Sequence, residues 1–384
     1  MLDCKRECFD LPNDVCFLNA AAWSPLPLSS VEAGNKGMLI KARPWEFPSG
    51  FEQQEFDRSR QLAASMINAS PDDIAIMPSI GYGVSTAAKI LDLPKGSRVI
   101  VMDNDHSSPV LEWISQRQDH ELIVEFVTPG SDRDWTSALL EALASPGKPE
   151  PALLSISNVH WADGAEVDLP ALKLAIGKSE TRILIDATHA VGVLPIDVAI
   201  LDPDFLLFPT YKWLLGPYGR AFAYIAKRHQ DGVPLEQTSS GRLRVVAEDD
   251  KHFTNIGYVM GARRFDMGER DFFVSLGVAS SSMELINSWG RDAILERIQM
   301  LTHRIASGLT DRKLPINMVA EHLRSPNILS LEFPNGIPDG FDRQLKEAKV
   351  YAAPRLGRLR IAPHVYNNET DCDRFVDVMD QLLK

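Results

Sequence analysis

Short, nearly continuous runs of Val, Ile, Leu and Phe recur along the first two-thirds of the chain, at 98–103, 152–157, 182–187 and 204–208. Runs of that length without polar alternation predict strands covered on both faces. Helical patterns lie between them. One spans 168–177, with Asp168 as N-cap and Pro170 in the first turn. Strand–helix alternation of this kind predicts βαβ units and a mostly parallel sheet. The link from 208 to the apolar run 220–226 is short and holds a turn, Gly216-Pro217-Tyr218-Gly219, so that last strand is predicted antiparallel. Upstream, 75–83 reads as a strand and a glycine-bearing turn that opens into a helix over 84–91.

After about residue 245 the pattern changes. A polar segment, 244–253, leads into one long helical stretch over roughly 272–304. Then follow a strand at 327–333, a helix near 340–348, a strand at 358–362 and an acidic final helix. The 384 residues exceed what one compact core usually holds. The division predicted is a large α/β domain, 16–265, and a small C-terminal α+β domain, 266–384, after an N-terminal segment 1–15. No internal repeat is visible.

Composition changes the picture little: 45% hydrophobic, 24% charged, no low-complexity tract. The formal net charge of −12 argues against nucleic acid or an anionic membrane as partner. No apolar run approaches the roughly 20 residues that span a bilayer, and the acidic N-terminus does not read as a secretory signal. Cys4, Cys8, Cys16 and Cys372 lack the partners of a metal site, and reduced thiols in a cytoplasmic protein are expected.

The chemistry is read at the carboxyl ends of the strands, where ligands bind on an open parallel sheet. Asp186, Thr188 and His189 follow the run 182–185. Tyr211 and Lys212 follow 204–208, with Lys212 set between Tyr211 and Trp213. Asp103, Asn104, Asp105 and His106 follow 98–102, and Ser157, Asn158 and His160 follow 152–156. The turn with Ser79, Gly81 and Tyr82 before a helix is an anion cradle, since unpaired backbone N–H groups and the helix dipole face the ligand. A desolvated lysine, an acid and an anion cradle on one rim are the parts that pyridoxal 5'-phosphate requires. The lysine forms a Schiff base with the aldehyde, the carboxylate keeps the pyridine nitrogen protonated, and the phosphate sits on the helix N-terminus.

These residues resemble the class V aminotransferase superfamily, which includes cysteine desulfurases, kynureninases and isopenicillin N epimerase-like proteins. The likeness begins at the segment 18–25 and ends at 360–367, which is similar to the family's Arg-x-Ser-x-x-x-Tyr-Asn motif. It implies the fold-type-I architecture of pyridoxal-phosphate-dependent transferases, with a mostly parallel central sheet between helices and a smaller α+β domain. It further implies Lys212 as the Schiff-base lysine, Asp186 as the pyridinium partner, His189 at the phenolic oxygen and His106 over the ring. Tyr211, Ser79, Gly81, Tyr82 and Asn158 would complete the cofactor site, Lys212, Asp186 and His106 being the catalytic set. Arg360 and Asn19 would bind an amino-acid substrate, and a homodimer with a shared active site is implied.

Departures bear on the reaction. The segment 350–360 holds no cysteine, unlike the loop of desulfurases, and Cys372 lies in the last helix. Gly268-Glu269 stands where many relatives have Gly-Thr, and Glu269 is expected to point away or to meet Arg263 or Arg270. Arg355 and Arg358 read as surface charges, His160 as structural, and Trp161 as packed beside the cofactor or simply buried. The expected activity is an aminotransferase or carbon–sulfur lyase acting at Cα or Cβ of an amino acid. The alternatives are an epimerase or racemase, or a desulfurase-like protein without the loop cysteine. A nucleotide-binding enzyme lacks its glycine motifs here, and a binding protein that has lost its chemistry would not need both Lys212 and Asp186.

Overall fold

The computed structural model describes residues 2–243 and 256–384; the polar segment expected at 244–253 lies outside them. The strands are β1 (Cys16–Phe17), β2 (Ile74–Met77), β3 (Arg98–Met102), β4 (Ile123–Val127), β5 (Pro151–Ser157), β6 (Arg182–Asp186), β7 (Phe205–Pro209), β8 (Ala221–Ile225), β9 (Asn317–Met318), β10 (Leu329–Glu332), β11 (Val350–Tyr351), β12 (Ala353–Arg355) and β13 (Arg358–Ile361). Seven of them form one sheet in the order β2-β8-β7-β6-β5-β3-β4. Only β8 runs antiparallel to its neighbours, β2 and β7, as the short Gly-Pro link predicts.

Alternation along each strand fills two cores. Val99, Val101, Leu153, Leu184, Phe205 and Leu207 face the helices Ile80–Leu91 and Ser108–Ser115. Ile100, Met102, Leu154, Ile156, Ile185 and Leu206 face the opposite layer, with Trp135, Leu139 and Leu172 of the helices Trp135–Ala144 and Leu169–Ile176. The sheet is thus covered on both sides, which is why its strands lack polar alternation. Edge strand β4 is the exception and escapes the sequence pattern: Ile123 and Phe126 are exposed, and Glu125 interrupts the run.

The single helix expected over 272–304 is two, Ser275–Trp289 and Arg291–Asp311, broken at Gly290, whose φ of +82° a helix cannot hold. The second sheet, β12-β13-β10-β9, packs with the helices Arg291–Asp311 and Glu369–Leu383 in a third core. The short strand β1 pairs in parallel with β11, and Cys16 and Leu18 are buried in that same third core.

A buried carboxylate holds the free edge of β2. Asp266 accepts from Ile76 N (2.9 Å), from Arg270 Nη1 (2.9 Å) and from Arg60. Arg60 and Asp266 are both buried. Removing one partner of such a pair strands the other's charge, which typically costs about 3–5 kcal/mol. Asp266→Ala is therefore expected to lower the unfolding free energy by about that amount in chemical denaturation. A loss below about 1 kcal/mol, the range of an exposed pair, would contradict this account.

Candidate active site

Parallel pairing of β6 with β7 brings the segments after Asp186 and Pro209 side by side; Ala187 N donates to Leu207 O at 2.8 Å. The chain after β7 then folds into a tight loop. Thr210 Oγ1 donates to Pro217 O (2.8 Å) and Gly216 N to Thr210 O (2.8 Å). A Cβ at residue 216 would lie 2.6 Å from Thr210 Cβ, so only glycine fits. The loop presents Lys212 to a cleft of about 670 Å³ of open space.

Six of the expected residues line that cleft together: Ser79, His106, Asp186, His189, Tyr211 and Lys212. Lys212 is buried, and among the described residues no carboxylate lies within ion-pair distance of it. Its Nζ sits 3.4 Å from His189 Nε2 and 5.5 Å from the centre of the Tyr211 ring. Burial, and then the positive charge of Arg360, push its pKa from the ordinary 10.5 down to about 7, against an opposing pull from Asp186.

The tautomer of His189 follows from its other neighbour. Trp213 Nε1, which can only donate, lies 3.1 Å from His189 Nδ1. Nδ1 is therefore the acceptor and Nε2 carries the proton, directed at Lys212 Nζ. Burial and the lysine's charge hold His189 well below the usual histidine range, so the ring is neutral. A neutral imidazole donating from Nε2 suits a neutral amine.

Asp186 Oδ1 accepts from Thr188 N (2.9 Å). Asp105, half-buried, accepts from Ser157 Oγ (2.9 Å) and from His106 N (2.7 Å), and so ties the loop after β3 to the end of β5. Burial pushes the Asp105 carboxyl up to about 6. His106 meets the edge of Trp161 at 6.0 Å, and burial lowers its pKa. Trp161 is no core residue: it is partly exposed and forms a wall of the cleft. His160 is structural, stacked on Trp135 and 3.1 Å from Asp163.

The remaining expected residues lie around the cleft rather than on its lining. Gly81 and Tyr82 stand in the first turn of the helix Ile80–Leu91; Ser79 Oγ accepts from Tyr82 N (3.1 Å), and Tyr82 Oη donates to Glu236 (3.0 Å). The helix begins four residues earlier than the sequence suggests. Asn158 is buried just beyond β5, its Oδ1 without a partner. Asn19 is bridged to Ala362, also with an unpartnered Oδ1, and lines a neighbouring cleft. Arg360 is buried and donates to Trp161 O (2.7 Å). Glu269 is exposed, because Arg263 is engaged by Asp57 and Arg270 by Asp266. Arg358, read as a surface charge, is buried against Glu332.

Three residues of the site were missed. Trp213 fixes His189, and His364 in turn stacks on Trp213 (5.6 Å) and donates to its carbonyl (3.1 Å). Arg220 lines the cleft, buried and without a carboxylate in ion-pair range among the described residues. It precedes Ala221, which pairs with Met77, and so stands beside Pro78 and the Ser79 turn. The one signal available was an arginine opening an otherwise apolar strand.

Buried polar atoms without a partner among the described residues (Asn158 Oδ1, Arg220 Nε), the helix N-terminus that opens at Ser79 and the near-neutral amine all fit a phosphorylated pyridine aldehyde. By fold and site the chain is a pyridoxal-phosphate-dependent enzyme of fold type I. It belongs to the class-V aminotransferases: the family model described as Aminotransferase class-V matches residues 47–357. The uncharacterized aminotransferase YcbU of Bacillus subtilis (strain 168) is 27% identical over 341 residues, covering 88% of this chain and 86% of that protein. Isopenicillin N epimerase of Streptomyces clavuligerus is 27% identical over 389 residues, with 95% and 94% covered. The cystine C–S lyase C-DES, solved with its reaction product cysteine persulfide, shares the fold with a TM-score of 0.86 at 18% identity, over 96% of this chain and 98% of that one.

The lysine's state can be read directly. The unfolded chain keeps this proton up to about 10.5, whereas the folded chain releases it near 7. Burial therefore opposes folding below pH 7, and the opposition fades as pH rises from 7 towards 10.5. In cofactor-free protein, acylation of Lys212 followed by peptide mass spectrometry should rise with a midpoint near pH 7. A midpoint above about 9, within the ordinary lysine range, would show that the amine is not desolvated.

Proposed function

We propose that Lys212 anchors pyridoxal phosphate and, once displaced by the substrate's amine, moves the substrate's Cα proton. When bound, the cofactor supplies an electron sink for the Cα–H bond. Asp186 keeps the ring nitrogen protonated through a charge-assisted contact. His189 donates its Nε2 proton to the phenolic oxygen. Ser79, the backbone N–H of Gly81 and the Arg220 charge hold the phosphate, with Tyr82, Tyr211 and Asn158 completing the cofactor's surroundings. His106 covers the ring, Asn19 lies on the substrate side, and Arg360 takes the substrate carboxylate through a bidentate pair.

The observation that carries this reading is the burial of the Lys212 amine 3.4 Å from His189 Nε2 with, among the described residues, no carboxylate in ion-pair range, which pushes its pKa down to about 7. A general base works best when its pKa lies near the operating pH. The freed amine can then take the Cα proton and return it elsewhere, either for transamination or to assist loss of a β-substituent. A persulfide route is not part of the proposal. The segment 350–360 has no cysteine, and Cys372 is buried, its thiol donating to Leu301 O and its pKa raised by burial. Four unpaired cysteines support work in a reducing cytoplasm. Exposed Leu28, Val31, Met38, Leu39 and Trp45 support a homodimer.

Lys212→Ala should keep the native far-UV spectrum, lose the visible band of the bound cofactor and lose turnover by at least about 10²–10⁴-fold. An unchanged visible band in that variant would sink the assignment. Pyruvate with sulfide among the products marks β-elimination, a keto acid with aminated cofactor marks transamination, and exchange of Cα hydrogen with inversion marks an epimerase instead. Alkylating the accessible thiols should leave turnover intact.

A further inference from the structure

The hairpin that carries Arg360 holds a second cation with no counter-ion. Strands β12 and β13 are joined by Leu356 and Gly357, both at positive φ, and pair Ala353 with Arg360 and Arg355 with Arg358. Side chains two apart on a strand share a face, so Arg355, Arg358 and Arg360 all stand on one face. Arg358 is neutralised by Glu332, its partner across β10, at 2.9 Å. Arg360 and Arg355 are not neutralised: among the described residues no carboxylate lies within ion-pair distance of either. Arg360 donates to Trp161 O and leaves a buried Nε unpartnered; Arg355, half-buried, donates to Pro354 O. As diagonal cross-strand neighbours they sit about 7–8 Å apart at the backbone.

Like charges at that spacing, one of them fully desolvated, oppose folding unless an anion reaches them. Burial and the Arg355 charge push Arg360 down to about 9, and both arginines depress Lys212. Arg355 thus acts on the groups of the active site rather than on bulk solvent. It also lines a cleft of about 760 Å³ together with Phe17, Asn19 and Tyr351. The other charges there, Asp342 and Lys346, neutralise each other at 2.6 Å.

We propose that the substrate is a dicarboxylic amino acid, with its α-carboxylate on Arg360 and its side-chain acid group on Arg355. This rests on the reading that Lys212 exchanges its cofactor bond for the substrate's amine. Two arginines placed diagonally across the hairpin, about 7–8 Å apart at the backbone, suit acids separated by two to four carbons, and Arg355 is the specificity-determining residue.

The test titrates the holoenzyme with L-glutamate against L-glutamine, L-aspartate against L-asparagine, and L-2-aminoadipate, following the cofactor band. A charge-assisted contact predicts that at least one acid binds about tenfold or more tighter than its uncharged counterpart. Arg355→Gln should bring that ratio towards one, and Arg355→Lys should keep part of it, since the charge remains but the planar fork is lost. Amides that bind as well as the acids, or a preference that survives Arg355→Gln, overturn the proposal. L-Alanine separates the two failures. A band that moves with alanine but shows no acid preference overturns the dicarboxylate alone, and a band that no amino acid moves overturns the proposed role of Lys212 as well.

Discussion

The structure depends on keeping one amine dry. Lys212 is buried among Tyr211, Trp213 and His189, where an ammonium would be poorly hydrated and, among the described residues, has no carboxylate within ion-pair distance. Desolvation alone would make such a lysine a liability; here its surroundings also define what it touches. Trp213 sets the proton on His189, His364 holds Trp213 by stacking and by a hydrogen bond, and Asn327 Nδ2 fixes the His189 carbonyl at 2.8 Å. His364 and Asn327 come from the C-terminal third of the chain, so the lysine's environment is assembled from both sheets.

Legibility in the sequence followed burial on two faces. Strands β3, β5, β6 and β7 read as unbroken apolar runs because helices cover both sides, and their carboxyl ends name the site. Asp186 and Lys212 were legible for that reason, and so was the antiparallel β8, since its link is too short for a crossover. Edge strand β4 was illegible because one side meets solvent, and the Gly290 break because one glycine inside a long apolar pattern weighs little. Trp213 reads from sequence as bulk, yet its indole N–H determines a tautomer. Arg355 reads as an ordinary surface charge, because nothing local announces that the register will set it diagonal to Arg360.

Charge is distributed unevenly over this chain. The whole carries −12, yet Lys212, Arg360, Arg355 and Arg220 meet around the active site with few carboxylates, chiefly Asp186 and Asp105. Excess negative charge over the rest of the surface repels anions in general, whereas a cationic cleft with apolar walls draws them locally. In the proposed reading, the cofactor's phosphate and one substrate carboxylate account for Arg220 and Arg360. Arg355 is then left over in the electrostatic balance, which is what singles it out.

Glu269 belongs to the same balance. It stands exposed on a turn at positive φ, with Arg263 and Arg270 already engaged by Asp57 and Asp266. Glu236 accepts from Gly268 N (2.8 Å) and from Tyr82 Oη (3.0 Å), so the chain around residue 268 is already tied to the helix that opens at Ser79. A carboxylate at 269 therefore is not needed to hold that segment, and its charge would disfavour a phosphate brought close to it. In the proposed reading the phosphate meets a cation elsewhere, and Arg220, buried beside the Ser79 turn, is the guanidinium placed there.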